Sequence, residues 1–280
     1  MTLSGTGVWS IELRMFEPAD IVDAVGELES LGYSAVWFGD IGGPVFEALD
    51  RLLGATSTMT IATGVLNLWK HTPAEVGAWW AGLATEQQAR VLLGIGVSHG
   101  PLIGESWRRP LAVMNEYLDG LDAAGVPPER RALAALGPKM LELARDRSAG
   151  AHPYFVTPEH TALARSIVGD AGLFVEQGVV FETDPDAART IARRTLDRYR
   201  YCAMPNYVNS WKRLGFTDDD IDTRSDRFVD ALVAWGDADS INERVAAHVA
   251  AGADHVCIQV LNEPGAPMNR AAWRALAPGQ

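Results

Sequence analysis

An alternation along the whole chain constrains this fold most. Short apolar runs exchange with longer amphipathic ones eight times. The apolar runs at 7–13 ("GVWSIEL"), 34–40, 59–67, 90–97, 131–137, 151–156, 173–182 and 253–261 are predicted to be strands. The segments at 17–32, 45–57, 72–87, 109–125, 138–150, 157–169, 184–201 and 240–252 are predicted to be helices. In the first helix Ile21, Val22, Val25, Leu28 and Leu31 fall near a 3.6-residue period, and Gly32 suits its stop. Thr72 is placed as an N-cap with Pro73 at the first helical position. Strands alternating with helices imply a parallel sheet. Eight such units favour a closed (β/α)8 barrel, an α/β fold, over an open doubly wound sheet. One interval breaks the rhythm: residues 202–236 read as an insertion with short helices before the last helix and strand. No internal repeat or linker divides the 280 residues, so one domain over 1–280 is expected.

Composition limits what such a barrel can do. The chain carries 24 Lys+Arg against 36 Asp+Glu, a net charge of −12. An acidic surface argues against general nucleic-acid binding and against anionic membranes, while leaving room for a local basic pocket. Two distant cysteines, Cys202 and Cys257, give neither a zinc spacing nor a disulfide framework. The N-terminal residues lack a signal-peptide pattern, and no window approaches about 18 consecutive apolar residues. A cytoplasmic protein is the expectation.

In this architecture the chemistry sits at the C-terminal ends of the strands. Strand two ends in Asp40, and strand three runs into Asn67, Trp69, Lys70 and His71. Strand four leads to Ser98 and His99, strand five to Gly137 and Lys139, and strand eight to Asn262 and Glu263. Strand six carries His152 and Tyr154. His160 and His248 fall on predicted helices as surface residues, and His255 starts strand eight at the opposite end. No H-x-H, H-E-x-x-H or G-x-S-x-G occurs, so neither zinc hydrolysis nor a serine nucleophile is indicated, and no metal site is expected. Gly94 and Gly96 share one strand face, either to relieve crowding inside the barrel or to admit a flat cofactor. Lys139 sits in the first turn of a helix entered through Gly137-Pro138, where a cation opposes the dipole. An anionic ligand on the free N–H groups would resolve that conflict; a solvated lysine is the other reading. "PNYVNSWKRLGF" (205–216) offers Asn206, Tyr207, Asn209 and Trp211 either as a pocket roof or as a packed insertion.

These segments together resemble the luciferase-like superfamily, in particular its branch using the deazaflavin coenzyme F420. The resemblance lies in "LESLGYSAVWFGD" (28–40), "TIATGVLNLW" (60–69), "RVLLGIGVSHG" (90–100), "LGPKMLELARDRSAGAHPYFVTPEHT" (136–161) and "DADSINERVAAHVAAGADHVCIQV" (237–260). The fourth and fifth look like one uncharacterised actinobacterial-type subfamily. The resemblance implies a (β/α)8 barrel, a homodimer, and hydride transfer between the deazaflavin and a small or medium organic substrate. It implies a bulge in strand three, within Ala62-Thr63-Gly64-Val65, with a non-proline cis bond at Gly64–Val65 behind the cofactor ring. Thr63, Gly64, Val65 and Gly96 would then face the ring. Gly137, Pro138, Lys139 and Thr157 match the region where the family holds cofactor phosphate. Several relatives carry Asp-His at the end of strand two, where this chain has Asp40-Ile41. The proton donor or acceptor would therefore come from His99, His71, His152 or Tyr154. Asp40, His71 and His99 are the expected catalytic residues, and Trp69, His152, Tyr154, Asn206 and Trp211 the expected substrate pocket. The alternatives within the fold are an FMN-dependent monooxygenase and a flavin-binding barrel without turnover.

Overall fold

The computed structural model describes residues 3–104, 109–263 and 265–278. Its strands are β1 (Gly5–Trp9), β2 (Ala35–Phe38), β3 (Thr60–Thr63), β4 (Leu66–Asn67), β5 (Val91–Gly96), β6 (Arg131–Leu133), β7 (Gly150–Ala151), β8 (Gly172–Val180), β9 (Val233–Trp235) and β10 (His255–Val260). All pair in parallel. β1 lies between β10 and β2, the order continues through β3, β5, β6 and β7 to β8, and β8 pairs with β10 from Phe174↔His255 to Val179↔Val260. That last pairing closes an eight-stranded barrel in which β3 and β4 are two pieces of one barrel strand. Helices α1 (Pro18–Ser30), α2 (Val45–Ala55), α3 (Pro73–Gly82), α4 (Thr85–Gln88), α5 (Gly100–Ile103), α6 (Pro110–Ala123), α7 (Pro138–Arg147), α8 (Pro158–Val168) and α9 (Pro185–Arg198) fill the connections. α10 (Pro205–Arg213), α11 (Asp218–Thr223) and α12 (Asp226–Leu232) precede β9, and α13 (Ala238–Ala250) and α14 (Arg270–Ala275) flank β10.

Strand parity sorts the side chains, because neighbouring residues point to opposite faces. Val8, Val36, Ile61, Leu93, Leu133, Val175 and Ile258 join the core between sheet and helices. The alternate positions Trp9, Trp37, Ala62, Leu92, Ala132, Phe174 and Cys257 pack inside the barrel. Two indoles in that small interior require small residues elsewhere on the same parity. A side chain at Gly94 would bring its Cβ within 2.0 Å of the Thr63 carbonyl oxygen. Crowding is therefore the reason for Gly94.

Several elements differ from the sequence reading. The first strand ends at Trp9, and Glu12–Arg14 form a 3-10 turn, so Ile11 and Leu13 leave the sheet. The sixth barrel strand is only Gly150–Ala151, and Phe155 beyond it takes a φ of 53°. The interval 202–236 contains a strand as well as helices: β9 pairs with Gly178–Val180 at the end of β8. It also has its own core, where Trp211, Phe216 and Phe228 pack with α9 residues. His160 and His248 are buried rather than on the surface. His160 Nε2 lies 3.0 Å from the Leu136 carbonyl, and His248 bridges Thr161 Oγ1 and Gln177 Oε1, each at 2.8 Å. Those bonds satisfy both nitrogens of His248 and the Nε2 of His160. Among the described residues no helix is long and apolar enough to cross a membrane.

Candidate active site

A cavity of about 480 Å³ opens at the C-terminal ends of the strands. One wall is almost bare backbone: Gly64, Val65 and Gly96. Between β3 and β4 the chain bulges, and the Gly64–Val65 peptide there is cis. Three hydrogen bonds hold the bulge. Thr63 Oγ1 donates to the Gly94 carbonyl at 2.8 Å, Gly64 N–H to the Phe38 carbonyl at 2.7 Å, and Trp9 Nε1 to the Gly64 carbonyl at 3.1 Å. A Cβ at Gly64 would fall 2.3 Å from Trp9 Nε1, so the indole that fixes the bulge also demands glycine there. Gly96 makes room for Val65, whose Cγ2 would lie 2.5 Å from an added Cβ. Gly96 thus serves both packing and the cavity wall.

Asp40 is buried and borders the cavity. Its carboxylate is largely committed to the turn after β4. Oδ2 accepts from the Asn67 N–H at 3.1 Å and faces His71 Nε2 at 3.0 Å. Lys70 Nζ donates to the Asp40 carbonyl at 2.7 Å and lies 3.6 Å from Oδ1. The structure therefore joins Asp40 and His71 although they are 31 residues apart in sequence. His71 stands behind Asp40, edge-on to Phe46, and does not border the cavity. Trp69 is also turned away, donating to the Val97 carbonyl at 2.7 Å.

His99 borders the cavity, with Nδ1 3.1 Å from Asn206 Oδ1 at the start of α10. Burial lowers its pKa, so the ring favours its neutral form. His152 lies deeper. It is 1% exposed, stacks on Trp37 with centroids 4.2 Å apart, and directs Nδ1 to the Phe174 carbonyl at 2.7 Å. Burial takes its pKa down to about 4. Among the described residues its Nε2 has no partner.

The opposite wall is phenolic. Tyr154 donates to Gln259 Oε1 at 2.6 Å, and Tyr201 donates to the Tyr154 oxygen at 3.4 Å. Tyr199 and Tyr207 complete it, and Trp9 meets Tyr154 edge-on at 5.4 Å. Beneath them Glu176 is fully buried. One oxygen accepts from the Phe155 N–H at 2.8 Å, the other has no partner among the described residues, and burial pushes the carboxyl up to about 8.

At the far end the cavity reaches Gly137 and Met140, at the N-terminus of α7. Gly137 is the N-cap and supplies no side-chain cap, while Pro138 occupies the first helical position. The first turn thus keeps free N–H groups and the positive end of the dipole toward the cavity. Lys139 is exposed beside this turn, and Arg213 donates to the Leu136 carbonyl at 3.4 Å. Thr157 instead caps α8 by accepting from the His160 N–H. Trp211 lies in the second core, donating to the Phe155 carbonyl at 3.2 Å.

The sequence reading missed Trp9, Tyr199, Tyr201, Gln259, Glu176 and Arg213. Trp9 was hidden by carrying the first strand to residue 13, which put its end four residues late. The pair Tyr199 and Tyr201 at the close of a long helix was a usable signal. A second cavity of about 1060 Å³ shares Ile11, Ile41 and Tyr199 with the first and extends it toward Arg194, Arg198 and Glu263. Arg194 there pairs with Glu263.

The family described as luciferase-like monooxygenase matches residues 1–255. No curated protein matches the chain. Among solved structures, an F420-dependent secondary alcohol dehydrogenase in complex with an F420-acetone adduct is similar at a TM-score of 0.74 and 15% identity, over 98% of this chain and 97% of that one. The coenzyme F420-dependent tetrahydromethanopterin reductase of Methanopyrus kandleri gives 0.69 at 15% identity, over 99% and 98%. The oxygenating constituent of 3,6-diketocamphane monooxygenase from Pseudomonas putida, in complex with FMN, gives 0.68 at 14% identity, over 98% and 96%.

Proposed function

The chain belongs to the luciferase-like monooxygenase family, and within it we propose an oxidoreductase that transfers a hydride between coenzyme F420 and a small or medium organic substrate. The observation that carries this reading is the shape of one cavity. A wall in which Gly64 and Gly96 flank Val65 and the uncapped N-terminus of α7 both line it. Bare backbone suits the face of a planar ring, and free N–H groups at a helix start suit a phosphate. The residues present therefore fit a deazaflavin. Gly64, Val65 and Gly96 would hold the ring, and Gly137, the first turn of α7 and Lys139 the phosphate side. The bound cofactor supplies the hydride chemistry; the protein supplies orientation and electrostatics.

The chain's own residues divide the remaining work. The phenols of Tyr154 and Tyr201 and the imidazole of His99 border the space left for substrate. Asp40 locks the turn after β4 and so fixes the wall on which the ring rests. Ile41 leaves the end of β2 without an imidazole of its own, so His99 is the half-buried imidazole available for proton exchange at the cavity. F420-dependent proteins of the same fold support the choice of cofactor. The solved FMN complex and the family's description favour the second reading, an FMN-dependent monooxygenase.

Titration of the purified protein with deazaflavin and with FMN, followed by tryptophan quenching, separates the readings. We expect tight deazaflavin binding, weaker FMN binding, and no oxygen uptake with reduced cofactor. Failure to bind deazaflavin overturns the proposal, and oxygen uptake with reduced FMN establishes the second reading.

A further inference from the structure

The polar groups of the second cavity are unevenly matched. The arginines of α9 are Arg189, Arg193, Arg194 and Arg198. Arg189 pairs with Asp226 and Asp230, Arg193 with Asp226, and Arg194 with Glu263. Arg198 has no carboxylate partner among the described residues; its guanidinium lies over the Tyr199 ring, 5.7 Å from the centroid. It lines the second cavity, and Tyr199 lines both, so Arg198 stands where the two join.

A donor from β10 is open on the same cavity. Gln259 is 6% exposed and lines the second cavity. The Tyr154 hydroxyl accepts from Tyr201 and donates to Gln259 Oε1 at 2.6 Å. The amide is thereby fixed with Nε2 as its free end. Nε2 donates to none of the described residues, and it is not one of the polar atoms sealed inside the fold. A ligand in the cavity can therefore reach it, and an amide nitrogen offers only donors. The carboxylates that line this cavity are engaged: Glu263 by Arg194, and Glu12 by the Ser10 hydroxyl at 2.6 Å. The first cavity has no lysine or arginine among its described lining residues. An acid group on a substrate thus finds its cation only beyond Tyr199.

We propose that the substrate is an organic acid and that Arg198 and Gln259 are the residues that select it. Its carboxylate lies in the second cavity, against the Arg198 guanidinium and the Gln259 N–H groups. Its carbon chain passes Tyr199 to the phenolic wall of the first cavity. This rests on the reading of the first cavity as a deazaflavin or flavin site and adds the substrate class to it.

The test compares 4-phenylbutanoate and hexanoate with their primary amides, by ligand-observed NMR titration of the full chain with and without deazaflavin. The ratio of amide to acid dissociation constants is the readout, so a general loss of binding cancels. The native protein is expected to prefer the acids about five- to ten-fold, the size of a charge-assisted contact at a partly solvated arginine. Arg198→Met, which keeps an apolar stem over Tyr199, is expected to remove most of that preference, and Arg198→Lys to keep part of it. Gln259→Glu keeps an acceptor for Tyr154 but replaces the free donor with an oxygen, and is expected to reverse the preference. Near-UV circular dichroism checks that the variants keep the packed interior. Equal binding of acid and amide, binding of neither, or an acid preference that survives in a folded Arg198→Met overturns the inference; deazaflavin bound in those same samples leaves the proposed function standing. An acid preference lost in Arg198→Met, in a protein that binds no deazaflavin, supports the acid site and overturns the proposed function instead.

Discussion

The two ends of the barrel treat polar groups differently. At the N-terminal ends of the strands the protein satisfies several of them itself. Glu29 on α1 accepts from the N–H groups of Ser57, Thr58 and Met59 where the chain enters β3. Arg90 donates to the Leu53 carbonyl and to Thr56 Oγ1 at the end of α2. Asp254 accepts from Arg165 and from the Leu173 N–H at the entry to β8. At the C-terminal ends, by contrast, His152 Nε2 is unpaired among the described residues, and the α7 N-terminus has no side-chain cap. Burying an unpaired polar group is costly, so a ligand that fills such a vacancy gains by it. On the proposed reading the closed end holds the fold together, and the open end is where a ligand would complete it. Mutations should therefore separate stability from binding according to the end they touch.

The largest effect is expected from Gly64→Ala. The new methyl would lie 2.3 Å from Trp9 Nε1 and 3.3 Å from His152 Nε2. The indole must then move, which breaks its bond to the Gly64 carbonyl and roughens the flat wall. We expect deazaflavin binding to fall by about two orders of magnitude, with a loss of about 1–3 kcal/mol in stability from overpacking. Titration and urea unfolding measure the two quantities. Near-native affinity in this variant would mean that the wall is not the ring's seat.

Acid unfolding probes the closed end and the interior. Burial lowers the pKa of His255 to about 3, and that of His248 likewise, with Arg244 assisting. Each takes up its proton in the unfolded chain first, so their stabilising contribution is complete above the ordinary pKa of 6.5 and is lost as pH falls from there toward 3. Glu29 behaves as a carboxylate. Partial burial pushes its pKa up, but the N–H groups of Thr58, Met59 and Ser57 outweigh this and hold it at about 2. Its contribution is present above 4.5 and is lost between there and about 2. Glu29→Gln should remove that second stage and lower stability at neutral pH by about 1–2 kcal/mol, discounted for its solvent exposure. Ligand affinity should not change. A drop in affinity would show that the two ends are coupled.

How much of this contrast was legible in sequence depended on range. Periodicity gave the order of strands and helices, because each strand or helix is patterned over its own length. Gly64, Gly96, Asp40 and His99 were placed on the ring of strand ends, and all four border the cavity. What failed depended on distant partners. His160 and His248 look like surface residues on their helices until Leu136, Thr161 and Gln177 supply their hydrogen bonds. Trp211 looked like a pocket aromatic until the segment 202–236 was seen to have a core of its own. Glu176 sits in an apolar run on β8, where strand parity alone could have turned it inward beneath Tyr154.

The smallest effect is expected at Lys139. It is exposed and stands outside the cavity wall, so on the proposed reading it would act on a phosphate through the field at the start of α7 rather than through contact. A surface charge in the first turn of a helix is worth a few tenths of a kcal/mol to about 1 kcal/mol. Lys139→Ala should therefore weaken the binding of a phosphate-bearing ligand about two- to four-fold at low ionic strength. The difference should vanish as salt shortens the Debye length to about 3 Å at 1 M. The ring without its phosphate should bind both proteins equally, since the lysine does not line the cavity. Titrations with and without phosphate, at two salt concentrations, measure all of this. A loss beyond ten-fold that persists in salt would place the ammonium in direct contact with the ligand. The open end would then close around its occupant by moving the first turn of α7.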